Sequence, residues 1–268
     1  MGTTIISRRG RGSATIKFEN YSNSPSKIAS INLSEVKEDV VATATENYAF
    51  FAGGQTYSSG FIMKDSVDAY DKNLIKSTPS VLSVARHGAT AAAIANYAIF
   101  AGGSASSYSS DTQAIVDAYD ENLTRTTATE LSHDRDQFSA TTVGNYALFA
   151  GGQKRDESSY KDYFYDVVDL IDQNLVRSTL TALHTGNNSL SSAIVGNYAL
   201  FAGGDYRNSD VVDVYSIAEG NLALTLYKGS KYKFQNMGGE LTVDSNIENI
   251  LIPYPVTGYV KIKNITIF

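Results

Sequence analysis

The sequence predicts an all-β fold, a single β-propeller, from three observations: a phrase repeated four times, a period near 50 residues, and a composition suited to short strands. NYAFFAGG begins at Asn47, NYAIFAGG at Asn96 and NYALFAGG at both Asn145 and Asn197. By subtraction these copies stand 49, 49 and 52 residues apart, the spacing of propeller blades. The chain has 18 Tyr, 11 Phe and 21 Gly against 4 Pro and no Trp, which favours strands and tight turns.

Two further landmarks keep the same order in each copy. VDAYDKNL starts at Val67, VDAYDENL at Val116, VDLIDQNL at Val168 and VDVY at Val212. A leucine precedes each Asn-Tyr by 14 residues, at Leu33, Leu82, Leu131 and Leu183. The repeats therefore start near residues 34, 83, 132 and 184.

Each repeat reads as one four-stranded blade. ATAAAIA before Asn96 is small and apolar, fit for a crowded inner strand. A two-residue turn follows at Ala95-Asn96, Gly144-Asn145 or Gly196-Asn197, where Gly and Asn tolerate positive φ. The Tyr-Ala-Leu-Phe-Ala run is the second strand, apolar on both faces because blades cover it on both sides. The pairs Gly53-Gly54, Gly102-Gly103, Gly151-Gly152 and Gly203-Gly204 end it, at places where backbone must pass without side chains. VDAYD is the third strand. LTRTTATEL from Leu123 alternates and reads as a half-exposed outer strand.

The ends suggest closure. Ile16 to Tyr21 aligns with VDAYD, Lys27 to Leu33 with an outer strand, and Val256 to Ile262 with the inner half Val143 to Phe149. We expect five blades, one shared between the termini, since an open ring exposes strand edges. The alternative is four blades plus a C-terminal cap, because the closing segment 227–268 departs from the repeat, with a hairpin expected at Met237-Gly238-Gly239. Residues 1–13 form a basic N-terminal arm and 14–268 the propeller.

A net charge of −6 argues against nucleic acid as a partner. Arg8, Arg9 and Arg11 read either as a solvated tail or as a partner-docking arm. No apolar run is long enough to span a membrane, and the start lacks the pattern of a secretion signal. The absence of Cys removes disulfides, thiol nucleophiles and thiolate metal sites.

These residues resemble kelch repeats: Gly-Gly after an apolar strand, Tyr in the third strand, and Arg86 and Arg135 where the inner strand begins. The resemblance spans about residues 33 to 216. It departs where kelch repeats carry Trp after the third strand; Leu74, Leu123, Leu175 and Leu222 stand there instead, and Lys37 and Asn187 replace the Arg. More narrowly, VGNYALFAGG and VDAYDENLTR resemble repeats of tail-fibre and appendage proteins of Firmicutes phages and prophages. That resemblance implies a virion component assembled in the host cytoplasm, with other tail proteins and a host-surface glycan or protein as partners.

The segments between second and third strands, 55–65, 104–113, 153–166 and 205–210, read as long irregular loops on one face. They hold Tyr57, Tyr108, Tyr160, Tyr163 and Tyr206 among Ser, Gly and Asp, with Lys154, Arg155 and Arg207. Tyr in such company is the composition of recognition loops, though Tyr and Ser also make ordinary solvated loops.

Catalytic chemistry has thin support. His87, His133 and His184 fall in segments between blades, but they do not align with one another and have no repeating carboxylate partner, so no metal and no cofactor are expected. Asp68, Asp117, Asp169 and Asp213, with Glu19 in the same place, recur once per blade, which suggests a structural role. They would cap turns or pair with the Arg or Lys of the next blade. Kelch-type copper oxidases need a Cys-linked Tyr and sialidase-like propellers an Asp-box Trp; both residue types are missing. Asp134, Asp136, Asp156 and Glu157 keep a glycan hydrolase open. The expectation is a binding module that is not an enzyme.

Overall fold

The computed structural model describes residues 27–107, 111–156, 158–206 and 209–216 with their side chains, and the strand backbone of 220–226, 231–233, 240–242 and 247–254. The chain divides into two units, Met1–Asn32 and Leu33–Phe268. In the first, residues 27–32 have no regular structure, and Ile28 and Ile31 are exposed.

The second unit is all-β among its described residues. The first repeat contains β1 (Val41–Ala44), β2 (Tyr48–Ala52), β3 (Gln55–Tyr57), β4 (Phe61–Met63), β5 (Val67–Asp71) and β6 (Lys76–Ser77). The second contains β7 (Thr90–Ile94), β8 (Tyr97–Ala101), β9 (Val116–Tyr119) and β10 (Arg125–Thr127). The third contains β11 (Ser139–Val143), β12 (Tyr146–Ala150), β13 (Gln153–Asp156), β14 (Lys161–Phe164), β15 (Val168–Ile171) and β16 (Arg177–Thr179). The fourth contains β17 (Ser191–Val195), β18 (Tyr198–Ala202) and β19 (Val212–Ser216). β20 (Gly220–Leu226), β21 (Lys231–Lys233), β22 (Glu240–Thr242) and β23 (Ile247–Tyr254) follow.

Three antiparallel sheets have four strands each, in the orders β1-β2-β5-β6, β7-β8-β9-β10 and β11-β12-β15-β16. The two-residue turn sets their register, Ile94 facing Tyr97 and Val143 facing Tyr146. Positive φ falls on the first turn residue, Ala95 at 47°, Gly144 at 56° and Gly196 at 57°, and not on the following Asn. Inner strands of successive sheets lie beside one another, tied where Thr142 Oγ1 donates to Ala93 O at 2.8 Å and Ser192 Oγ to Ala140 O at 2.8 Å.

The second strands are apolar on both faces because sheets sandwich them. Phe50, Ala52, Val67 and Ala69 of the first sheet pack against Ala98, Phe100 and Tyr119 of the second. Ile99, Ala101, Val116 and Ala118 meet Phe138, Ala147, Phe149 and Ile171 of the third. Val143, Leu148, Ala150 and Val168 meet Ala199 and Phe201 of the fourth. Fully burying one such Phe or Leu contributes about 1.5–3 kcal/mol.

The return to the outer strand has a local cause. Asp71 Oδ1 accepts from the N–H groups of Asn73 and Ile75, Asp120 from Asn122 and Thr124, and Asp172 from Asn174 and Val176. This carboxylate-capped turn holds Leu74, Leu123 and Leu175 at φ of 62°, 60° and 62°. The leucines expected to replace the kelch Trp are therefore turn residues first. Leu175 is buried, Leu123 half-buried and Leu74 exposed; the side chain of Leu222 lies outside the described residues.

In the fourth repeat three strands pair among the described residues, in the order β17-β18-β19. Ser216 stands where Asp71, Asp120 and Asp172 cap the turn, so that cap is not available, and β20 pairs with β23 instead, Leu222 facing Ile252. β21 pairs with β22, Lys233 facing Glu240, as the expected C-terminal hairpin requires, and its turn at Met237-Gly238-Gly239 lies outside the described residues. The segments Ile16–Tyr21 and Val256–Ile262 and the arm residues Arg8, Arg9 and Arg11 lie outside the described residues.

Candidate ligand-binding face

The Gly-Gly pairs build the face. Gly54, Gly103 and Gly152 have φ of 102°, 96° and 107°, and a Cβ on Gly103 would stand 2.6 Å from His87 O and 2.8 Å from Ala89 N. This close approach lets the segment leading to each inner strand pair with the residue after the glycines: Glu38 with Gln55, His87 with Ser104, Asp136 with Gln153. The same glycines hold the following repeat. Gly54 N–H donates to Arg86 O, Gly103 to Arg135 O and Gly152 to Asn187 O, at 2.9, 3.0 and 2.9 Å.

The recurrent carboxylates act within their own repeat, not on the next blade as the sequence suggests. Arg86 Nη2 lies 2.9 Å from Asp117 Oδ2, and Arg135 Nη2 lies 3.0 Å from Asp169 Oδ2, all four side chains wholly buried. Lys37 Nζ is 3.7 Å from Asp68, also buried. The segment leading to each inner strand crosses its own third strand, so the pair closes one repeat on itself. Burial pulls the Arg86 and Arg135 pKa values down and the facing carboxylates pull them back up; a guanidinium stays charged there. Ser34, Ser83 and Ser132 donate both N–H and hydroxyl to the same aspartates.

Two of the expected loops are β-hairpins: β3 with β4, Tyr57 facing Phe61, and β13 with β14, Lys154 facing Tyr163. Tyr57 and Phe61 meet edge to face at 5.2 Å, yet Tyr57 is 70% exposed. Tyr160 is 79% exposed at the tip of the second hairpin, with φ of 51°, and Tyr163 is 49% exposed. Asp156 accepts from Ser158 N–H and from the hydroxyls of Ser158 and Ser159, which lower its pKa to about 2. A carboxyl held so low braces the hairpin and stays ionised, the opposite of a general acid.

The charged candidates are partly engaged. Lys154 Nζ lies 2.6 Å from Asp134, which also accepts from Thr112 Oγ1. That bond raises the Lys154 pKa. Arg155 lies 3.9 Å from Asp162. Tyr206 stacks on Phe164 at 3.5 Å and 9°, joining the third excursion to the fourth. Tyr108, Arg207 and Glu157 lie outside the described residues.

Sequence reasoning missed a polar belt beside these hairpins. Asp39, Gly88, Gln137 and Ser189 occupy one place per repeat, each at φ of 51–61°. Gln55 Nε2 donates to Asp39 at 2.6 Å, and Asn188 Nδ2 donates to Gln153 Oε1 at 2.8 Å and Gln137 Oε1 at 3.2 Å. Gln55, Ser104, Asp136 and Asn188 are buried. The signal was present in the sequence: after Lys37, Arg86, Arg135 and Asn187 the next two residues are Glu-Asp, His-Gly, Asp-Gln and Asn-Ser. The scaffold repeats around a position that does not. The histidines do not converge. His87 Nε2 is 3.0 Å from Ser106 O, His133 packs on Tyr165 at 4.9 Å, and no three metal-binding side chains cluster among the described residues.

No protein-family model and no curated protein match the chain. A solved structure titled "Structure of YjhT" is similar in fold, with a TM-score of 0.53 at 14% identity, over 66% of this chain and 68% of that one. That neighbour has a kelch-type fold, and the likeness supports a β-propeller here.

Proposed function

We propose that the chain is a non-enzymatic recognition module, a tail component of a phage or phage-like particle, which holds a host-surface ligand on the hairpin face of a kelch-like propeller. One observation carries this reading. Short braced hairpins present Tyr57, Phe61, Tyr160 and Tyr163 to solvent above a scaffold whose repeating residues are buried. Exposed aromatic rings on rigid supports give contact area at small entropic cost, and a particle with many copies multiplies weak contacts. The resemblance to phage appendage repeats supplies the setting: assembly in the host cytoplasm, other tail proteins as neighbours, and Arg8, Arg9 and Arg11 as the docking arm. In this reading the ring closes as five blades, the fifth shared between the segment from residue 14 and the closing segment 227–268.

The test is binding of the purified protein to cell-wall fractions of Gram-positive hosts, with and without Tyr57→Ser, Tyr160→Ser and Tyr163→Ser together. Saturable binding that falls tenfold or more in the triple variant is expected. Binding that the variant leaves unchanged overturns the hairpin face. No binding by a protein present in purified particles overturns host recognition and leaves a structural propeller.

A further inference from the structure

The fourth repeat carries a site from which its own cation has been removed. In the second repeat, Arg86 reaches three acceptors: Nη1 donates to Val84 O at 2.9 Å, and Nη2 to Phe100 O at 3.3 Å and to Asp117 at 2.9 Å. The third repeat keeps two of these contacts, Arg135 Nη2 donating to Phe149 O at 3.2 Å and lying 3.0 Å from Asp169, while its Nη1 makes no bond to match that of Arg86 with Val84 O. The corresponding groups in the fourth repeat are Thr185 O, Phe201 O and the Asp213 carboxylate, because Asn187 stands in the Arg position.

Asn187 does not take over the role. Its Nδ2 donates to Gly203 O at 3.1 Å, and its Oδ1 accepts from Asn188 N–H and Tyr206 N–H. Its backbone keeps the scaffold bonds, Gly152 N–H to Asn187 O at 2.9 Å. The serine that hydroxyl-bonds the aspartate elsewhere is His184 here, and Asp213 accepts from His184 N–H at 3.1 Å to each carboxylate oxygen. Asp68, Asp117 and Asp169 are wholly buried, whereas Asp213 is half-exposed. Where the guanidinium would lie there is a small pocket, with His184, Thr185, Asn187, Phe201 and Asp213 on its polar side and Leu190 and Val211 on its apolar side.

We infer that this pocket binds the guanidinium of an arginine side chain brought by a partner protein. Two carbonyls and a carboxylate arranged for a forked donor suit guanidinium better than a compact ammonium. The scaffold uses this recognition in full at Arg86 and in part at Arg135, where one carbonyl and the carboxylate are engaged, so the fold already sets the geometry and charge. The site is separate from the hairpin rings and does not depend on what they bind.

The experiment is an NMR titration of the full chain with N-acetyl-arginine amide, and with the citrulline analogue, which keeps the shape and lacks the charge. Saturable shifts at the His184 and Asp213 amides with arginine, absent with citrulline and lost in Asp213→Asn, are expected. Asn187→Arg should abolish binding and melt at a higher temperature than the parent, since it restores the internal clip. Equal shifts from citrulline, unchanged binding in Asp213→Asn, or a lower melting temperature for Asn187→Arg each overturn the inference. Arg207→Ala separates the sources of the guanidinium: unchanged affinity supports an external arginine, and a tenfold gain overturns it by showing that Arg207 competes for the pocket.

Discussion

Arg135 and Asp169 face each other 3.0 Å apart with neither side chain in contact with water, and the Arg135 guanidinium lies over the Phe138 ring at 5.0 Å. Taking two charges out of water costs several kcal/mol, and their attraction offsets this only while both are present. Arg135→Met leaves Asp169 buried with Arg177 at 3.3 Å, Ser132 and the Thr179 hydroxyl as its remaining partners. The expected loss is about 3–5 kcal/mol of unfolding free energy. The double variant Arg135→Met with Asp169→Leu should lose less than the single one, because the wholly buried charge is gone and Arg177, which loses its carboxylate, is partly exposed to water. Urea denaturation of both proteins checks this; a single variant within about 1 kcal/mol of the parent would show that water reaches the carboxylate. The sequence shows that Arg and Asp recur together. It does not show which Arg meets which Asp, since a period of 49 residues places a candidate partner in the same repeat and in the next.

At the scale of the element, two glycines that both have positive φ have different burdens. Gly103 has φ of 96° and lies against His87 O and Ala89 N. Gly196 has φ of 57° and nothing within 4 Å of a Cβ. Gly103→Ala must part the strand end from the incoming segment and should cost more than about 3 kcal/mol. Gly196→Ala carries backbone strain alone, about 1 kcal/mol, and Ala95 already holds the corresponding turn at 47°. Thermal melts of the two variants read the contrast, and equal losses would refute it. These glycines, the strand registers and the buried second strands were legible because repetition and alternation report directly on backbone geometry. The hairpins were not: QTYSSGFIM shows Ser and Gly at its centre and only three residues on each arm. Tyr57 and Phe61 were therefore read as loop composition, and their cross-strand pairing was lost. Ser216 in place of the turn-capping Asp was readable and marks where the blade pattern stops.

For the whole second unit, the question is what covers the last sheet. Val143, Leu148, Ala150 and Val168 on one face of the third sheet are at most 3% exposed beneath the fourth. Their counterparts in the fourth sheet are Val195, Leu200, Ala202 and Val212; with Tyr198 and Val214 they share one face, and Val195 is 62% and Val214 56% exposed. A sheet built to be sandwiched, left open on one side, loses its burial energy there and invites edge pairing. Under the five-blade proposal this chain's closing segment supplies the cover. Deletion of residues 255–268 should then lower the melting temperature sharply and raise dye binding to apolar surface, with aggregation at micromolar concentration. If β20 to β23 are instead a cap that folds on its own account, the deletion leaves the main transition where it was and removes at most a minor one. Calorimetry on the truncated and full chains distinguishes the two, because loss of a blade affects the single cooperative transition and loss of a cap tail does not.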